Sequence, residues 1–218
     1  MTSQTQVEEF IENTDFVWNE CYAGISQLER LLVAIPSSHS EIARTYYVPI
    51  LYAYWERFFL SVFLEYLRVI SIAGDSCKDY IHQLIGLRSS TEFKRAAGGL
   101  GKKRSIELIE YLRNLEDTPL DFPDTEKWID TKSNVGKSVL GDTLEILGLD
   151  IEVIKTEIPF SLLKIEELRN RRNDIAHGSV IEEISKEKWE SLVENVRKLM
   201  ITLQTLLTDA LSTRHPYK

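Results

Sequence analysis

Cysteine is close to missing from this chain: Cys21 and Cys77 are the only two, far apart and without the spacing of metal ligands. A disulfide framework is thereby excluded, and each thiol reads as a small apolar filler of the interior. Histidine is scarce as well. His39, His82, His177 and His215 are the full set, none has a second histidine at ligand spacing, and the carboxylates are scattered along helix faces. No metal site is expected. Nor is there a long apolar run: the longest, around Val48 to Val62, is interrupted by Glu56 and Arg57, and no basic start with an apolar core opens the chain. Neither a signal peptide nor a membrane span is indicated, and the expected location is the cytoplasm.

Positive charge is also in short supply. The formal net charge of −8 argues against a general affinity for nucleic acid. The cations are nonetheless segregated. Between Arg88 and Arg104 stand Arg88, Lys94, Arg95, Lys102, Lys103 and Arg104 against Glu92 alone. Gly98, Gly99 and Gly101 in this stretch predict a flexible loop. Lys94, Arg95, Lys102, Lys103 and Arg104 are then candidate contacts to an RNA backbone, the alternative being a solvated surface loop.

What is present is helix. A chain of 218 residues, 43% hydrophobic, can bury one substantial core. Apolar residues recur at 3.6-residue spacing from about Gln6 to Ile35. Pro36 to Ser40 ends that helix, and Ser40 is placed to cap a second one, kinked near Pro49, that runs to about Ser71 and stops at Gly74. Its middle, Ile50 to Leu67, is apolar on nearly every side and predicts the most buried helix. Shorter helices are predicted over Lys78–Leu87, Ser105–Leu115 and Ser133–Gly148, and Asp150–Phe160 reads as a short strand or an irregular link. Ser185 caps a last amphipathic helix with Trp189, Leu192, Val193 and Val196 in its stripe, after which the tail from Thr213 is expected to fray. The fold class is all-α: one domain, 1–218, an antiparallel helical bundle with an insertion at about 74–131 that carries the basic loop 88–104.

Two glycine-lysine pairs, Gly101-Lys102 and Gly136-Lys137-Ser138, invite a phosphate-loop reading. Ala96 and Thr131 stand where the first glycine is needed and neither pair follows a strand, so nucleotide hydrolysis there is excluded.

The stretch Ser161 to Gly178 organises the rest. Ser161 is an N-cap candidate, Glu166 and Glu167 lie toward the start, Arg169, Arg171 and Arg172 toward the end, and Gly178 is placed to terminate, as the helix dipole favours. Ile165, Leu168, Ile175 and Ala176 line an apolar stripe, and Arg172 falls inside it. A buried cation stripped of its partner costs roughly 3–5 kcal/mol. Glu56 on the central helix is a natural counter-charge. Asn173 and His177, four apart, share the adjacent face.

Arg172-Asn173-Asp174-Ile175-Ala176-His177, followed by Gly178, resembles the signature of HEPN domains, small all-helical proteins many of which are metal-independent ribonucleases. In that superfamily an arginine, four to six residues beginning with a polar one, and a histidine form the active site; here four intervene and the first is Asn173. Ile50 to Leu67 with Trp55-Glu56, and Ile129 to Leu149 with Ser133-Asn134, resemble the corresponding parts of the Mae-type HEPN toxins. The resemblance implies a HEPN-like bundle with Arg172, His177 and Asn173 as catalytic residues and Glu56 in support, without cofactor or metal. It further implies RNA as substrate, a homodimer, and a toxin or defence role held off by a cognate antitoxin. Cleavage through the 2′-hydroxyl needs a base, an acid and a cation at the phosphate, and one chain supplies one suitable histidine, so a symmetric pair is expected. The rival reading is a non-catalytic HEPN-like module that binds a nucleotide or a protein partner. In that case Arg172 is buried against Glu56 and His177 only caps its helix.

Overall fold

A computed structural model describes residues 3–97, 102–122, 128–129, 134–179, 182–213 and 216–217. Among them are the helices α1 (Gln4–Ala34), α2 (Ser37–Ala73), α3 (His82–Ala97), α4 (Lys102–Leu115), α5 (Lys137–Ile146), α6 (Glu152–Glu157), α7 (Ser161–Ala176) and α8 (Lys186–Ser212), with one 3-10 turn at Cys77–Asp79. The class is all-α, as the periodicity predicts. No helix among the described residues is long and apolar enough to cross a membrane.

Local signals start and stop the long helices. At the head of α1, Ser3 Oγ accepts from the Gln6 N–H at 3.3 Å while Gln6 Oε1 accepts from the Ser3 N–H at 2.7 Å. This capping box satisfies two donors that a helix start leaves bare. Ser40 does not cap α2. The helix begins three residues earlier, behind Pro36, and Ser40 Oγ donates to the Ser37 carbonyl at 2.9 Å inside its first turn. Proline supplies a helix-compatible φ and has no N–H to satisfy, so the start moves up to it. Gly74, at φ +68°, ends α2 in the left-handed conformation that glycine adopts without strain. Ser185 caps α8 by accepting from the Lys188 N–H.

The core forms around α2, which packs against α1, α7 and α8. Leu51, Trp55, Phe58, Phe59, Val62 and Phe63 are all buried there. Phe59 tilts against Trp55 and Phe63, with ring centroids 5.8 and 4.7 Å away. Fully burying a side chain of this kind contributes about 1.5–3 kcal/mol, so α2 alone supplies a large share of the stabilising area. Helices α1 and α8 close over it, joined at their edges by Arg197–Glu29 at 2.7 Å and by Gln204 Nε2 to Thr14 Oγ1 at 3.0 Å. Cys21 and Cys77 are free and buried.

Five expectations are corrected. The helix predicted over Lys78–Leu87 is the 3-10 turn followed by α3, which continues to Ala97. Helix α4 starts at Lys102, so Ser105 lies within it. The 88–104 stretch is therefore mostly helical, since leucine, arginine, lysine and alanine are good helix formers; its glycines at 98–101 lie outside the described residues. The 150–160 link contains the short helix α6 rather than a strand. The tail does not fray at its described residues. Pro216 accepts from the Ile81 N–H at 3.0 Å, and Tyr217 stacks on Tyr80 at 4.7 Å while its hydroxyl donates to Asp75 Oδ2 at 3.0 Å.

At Gly24 the Tyr54 side chain of α2 lies directly against the α1 backbone. A β-carbon there would lie 2.3 Å from the Tyr54 ring. In an unconstrained helix Gly→Ala gains up to ~1 kcal/mol. Here the ring has to be displaced, so Gly24→Ala is expected to cost about 1–3 kcal/mol, read as a melting temperature lowered by several degrees.

Candidate functional site

Helix α7 has charged residues on most of its circumference, and each end is shaped by a different device. At the start the cap is Phe160, in the left-handed conformation at φ +66°, and not Ser161. Ser161 is the first helical residue: its N–H bonds to the Ile158 carbonyl, and its hydroxyl is buried without a partner. Glu166 pairs with Arg169 one turn on, and Glu167 pairs with Arg171 at 3.0 Å and with Lys188 of α8. Burial acts to raise the Glu167 carboxyl, but the hydrogen bonds from Lys188 and Arg171 outweigh it and hold it below the usual carboxylate range. These pairs fix the rotation of α7 about its axis.

At the other end the Ser179 N–H reaches the Asp174 carbonyl at 2.9 Å and the Gly178 N–H the Ile175 carbonyl at 3.1 Å. This is a Schellman closure with His177 as C-cap and Gly178 at φ +70°. It sets the imidazole at the exposed rim of the helix end. Ala176, expected in the apolar stripe, is exposed as well; Ile165 and Leu168 are buried as anticipated and Ile175 is half-buried.

Arg172 is the side chain that faces α2. Its guanidinium lies over the Tyr52 ring, 4.4 Å from the centroid, and its Nη1 donates to Asn173 Oδ1 at 2.9 Å. Asn173 in turn donates from Nδ2 to Asn134 Oδ1 at 3.4 Å. The segment carrying Asn134 is fixed from two directions. Trp55 Nε1 of α2 donates to the Val135 carbonyl at 3.0 Å, and Glu166 Oε2 of α7 accepts from the Lys137 N–H at 3.1 Å, covering the start of α5. Arg172, Asn173, Asn134, Tyr52 and Glu56 therefore form one cluster where α2, α7 and the lead-in to α5 meet.

Glu56 enters this cluster through charge. Burial raises its carboxyl above the usual range, the nearby Arg172 cation opposes that shift, and Oε1 is buried without a hydrogen-bond partner. Tyr52 is pushed up to about 12, by burial first and then by the Glu56 charge, with Arg172 acting against both. The cation and the carboxylate thus sense each other without a hydrogen bond to Oε1.

The sequence pointed to Arg172, Asn173 and Glu56, which the fold brings together, and to His177 at the neighbouring helix end. Tyr52 was missed, although it precedes Glu56 by four residues and so shares its face of α2. The basic candidates sit elsewhere. Lys94 lies on α3, and Lys103 and Arg104 in the first turn of α4, all three exposed; α3 packs on α5, which packs on α7. Arg95 and Lys102 fall in α3 and α4, their side chains outside the described set, as are Ser133 and His215 altogether. Arg88 is occupied by Asp121 at 2.8 Å.

The RiboL-PSP-HEPN family model matches residues 19–209, and the chain belongs to that family. No match was found among curated proteins or among solved structures.

Two outcomes test the cluster. Tyr52→Phe keeps the face under the guanidinium and removes a hydroxyl that is near Arg172 and the Val135 backbone but makes no hydrogen bond of normal geometry, so its urea midpoint should stay close to that of the parent; Tyr52→Leu should lose at least ~1 kcal/mol. Because the fold favours the protonated form of Glu56, its carboxylate lowers stability as pH rises through the folded-state value. Glu56→Gln is accordingly expected to melt higher than the parent at pH 8, with the gain vanishing by pH 4.

Proposed function

We propose that this protein is a metal-independent endoribonuclease of HEPN type whose working site is shared by two copies of the chain. The observation that carries the reading is the setting of Arg172: a guanidinium held at one angle by the Tyr52 face and the Asn173 amide, at the end of the helix that carries His177. A preorganised cation beside an accessible imidazole suits a phosphodiester, whose transition state gathers charge on its non-bridging oxygens.

Ile42, Tyr46 and Ile50, at i, i+4 and i+8, form an exposed apolar row on α2, and an apolar row of this kind favours burial against a like surface of a second copy. In the paired site one His177 takes the 2′-hydroxyl proton and the other gives a proton to the departing 5′-oxygen. Both Arg172 side chains hold the phosphate, and Asn173 orients its neighbours. The products are a 2′,3′-cyclic phosphate and a 5′-hydroxyl. A toxin or defence role, with a cognate antitoxin restraining access to cytoplasmic RNA, extends the reading by analogy with the superfamily.

The test is cleavage of total RNA in EDTA by the parent protein beside His177→Ala and Arg172→Ala. The parent should cut, and each folded variant should fall by about 10²–10⁴-fold. Equal cutting by all three would move the activity away from the cluster. Silence from all three, in protein free of copurified partner, would favour the binding module.

A further inference from the structure

Glu56 is a carboxylate that the fold has half withdrawn from water without a full set of donors in return. It follows Tyr52 by one turn of α2, the residue whose ring carries the Arg172 guanidinium at 4.4 Å, and its Oε1 is buried without a hydrogen bond. A carboxylate keeps its charge in such a place only where a donor or a cation offsets the lost hydration. Arg172 is the charge that acts on it in this way.

The other charged groups nearby are engaged elsewhere or carry no charge toward it. Arg57, the next residue, is exposed and pairs with Glu20 of α1, and Lys188 of α8 pairs with Glu167 of α7. The lead-in to α5 presents the Asn134 amide and the Val135 carbonyl, both neutral. Tyr52, pushed up to about 12, holds its proton at any ordinary pH, and His177 stands at the exposed rim of the helix end.

The offset weakens when a second anion reaches Arg172. A phosphate drawn to the guanidinium cancels much of the field that Glu56 senses, and the two anions repel each other directly. Two anions beside one cation are relieved when one of them is neutralised. A phosphodiester is too weak a base to take a proton near neutral pH, whereas burial already pushes Glu56 in that direction.

We infer that capture of a phosphate at Arg172 is coupled to uptake of a solvent proton by Glu56, so that the site binds its substrate more tightly as pH falls. The inference rests on the nuclease reading in one respect, that Arg172 holds the phosphate. Because such coupling is reciprocal, whatever the phosphate does to the proton affinity of Glu56, the proton does to the affinity for phosphate. Each pKa unit by which occupancy moves Glu56 is worth tenfold in binding.

A short 2′-O-methyl oligouridylate is the probe, since it cannot be cut through the 2′-position and has no group that titrates between pH 5 and 8. His177→Ala is present throughout, so that the imidazole contributes no protons. Calorimetry in buffers of different ionisation enthalpy should record net proton uptake on binding, and affinity should rise at least about threefold from pH 8 to pH 5.5. Adding Glu56→Gln should abolish the uptake and tighten binding at pH 8 by a similar factor. Adding Arg172→Ala instead should abolish binding. A parent that does not bind the probe, or Arg172→Ala that binds it equally well, takes the phosphate away from Arg172 and overturns the nuclease reading and the inference together. Binding that needs Arg172 but proceeds without proton uptake overturns the inference alone, and that measurement requires no substitution at Glu56. Circular dichroism melts confirm that each variant is folded.

Discussion

Helix α2 has too little polar surface to face water on more than a narrow strip, and that constraint arranges the rest of the molecule. Buried residues run along it from Val48 to Ile70 over about half of its circumference, and most of the rest is half-buried. Such a helix is stable only when neighbours enclose it, and α1, α7 and α8 do so. The position of α7 is therefore a by-product of covering α2, and through it so is the placement of Arg172. The strip of α2 left to water carries the exposed side chains of Ile42, Tyr46 and Ile50.

Within the cluster the polar groups depend on one another in sequence. Trp55 anchors the Val135 carbonyl, which holds Asn134 in reach of Asn173, which accepts from Arg172. Glu166 ties the start of α5 to α7, and Gly136 makes room for it: a β-carbon there would lie 2.5 Å from Glu166 Oε2. Glu56 and the Tyr52 hydroxyl are the two members with buried oxygens left unpartnered. Groups of this kind are uncommon in folded proteins and concentrate where a structure serves something besides stability.

How much of this the amino-acid pattern reveals depends on the range over which each feature is determined. Helices α1, α2 and α8 are legible because their stripes repeat over many turns, and Gly74 at the end of α2, Gly178 at the end of α7 and Ser185 at the start of α8 mark limits by local chemistry that needs no tertiary partner. The Arg172 to His177 spacing is legible for the same reason. Ser161 misled because a serine ahead of an apolar run looks like a cap, whereas the turn is made one residue earlier by Phe160 and the serine is absorbed into the core. The extent of α3 was hidden by the nearby Gly98, Gly99 and Gly101, which argue locally against helix and lie outside the described residues. Tyr52 beneath Arg172, and Tyr217 against Tyr80, arise from contacts between segments far apart in the chain, and no window of sequence contains them.

The closure of α1 against α8 joins residues separated by 168 and 190 positions, as in Glu29 with Arg197 and Thr14 with Gln204. Helical bundles with near-neighbour contacts fold quickly, but one that must bring distant segments together meets the entropy of a long loop before the contacts compensate for it. Until α7 and α8 arrive, an α1–α2 hairpin leaves Trp55, Phe58 and Val62 in water. A hairpin of α1 and α2 without α7 and α8 is accordingly the part of this fold with the most apolar surface in water, the kind of surface on which aggregation starts.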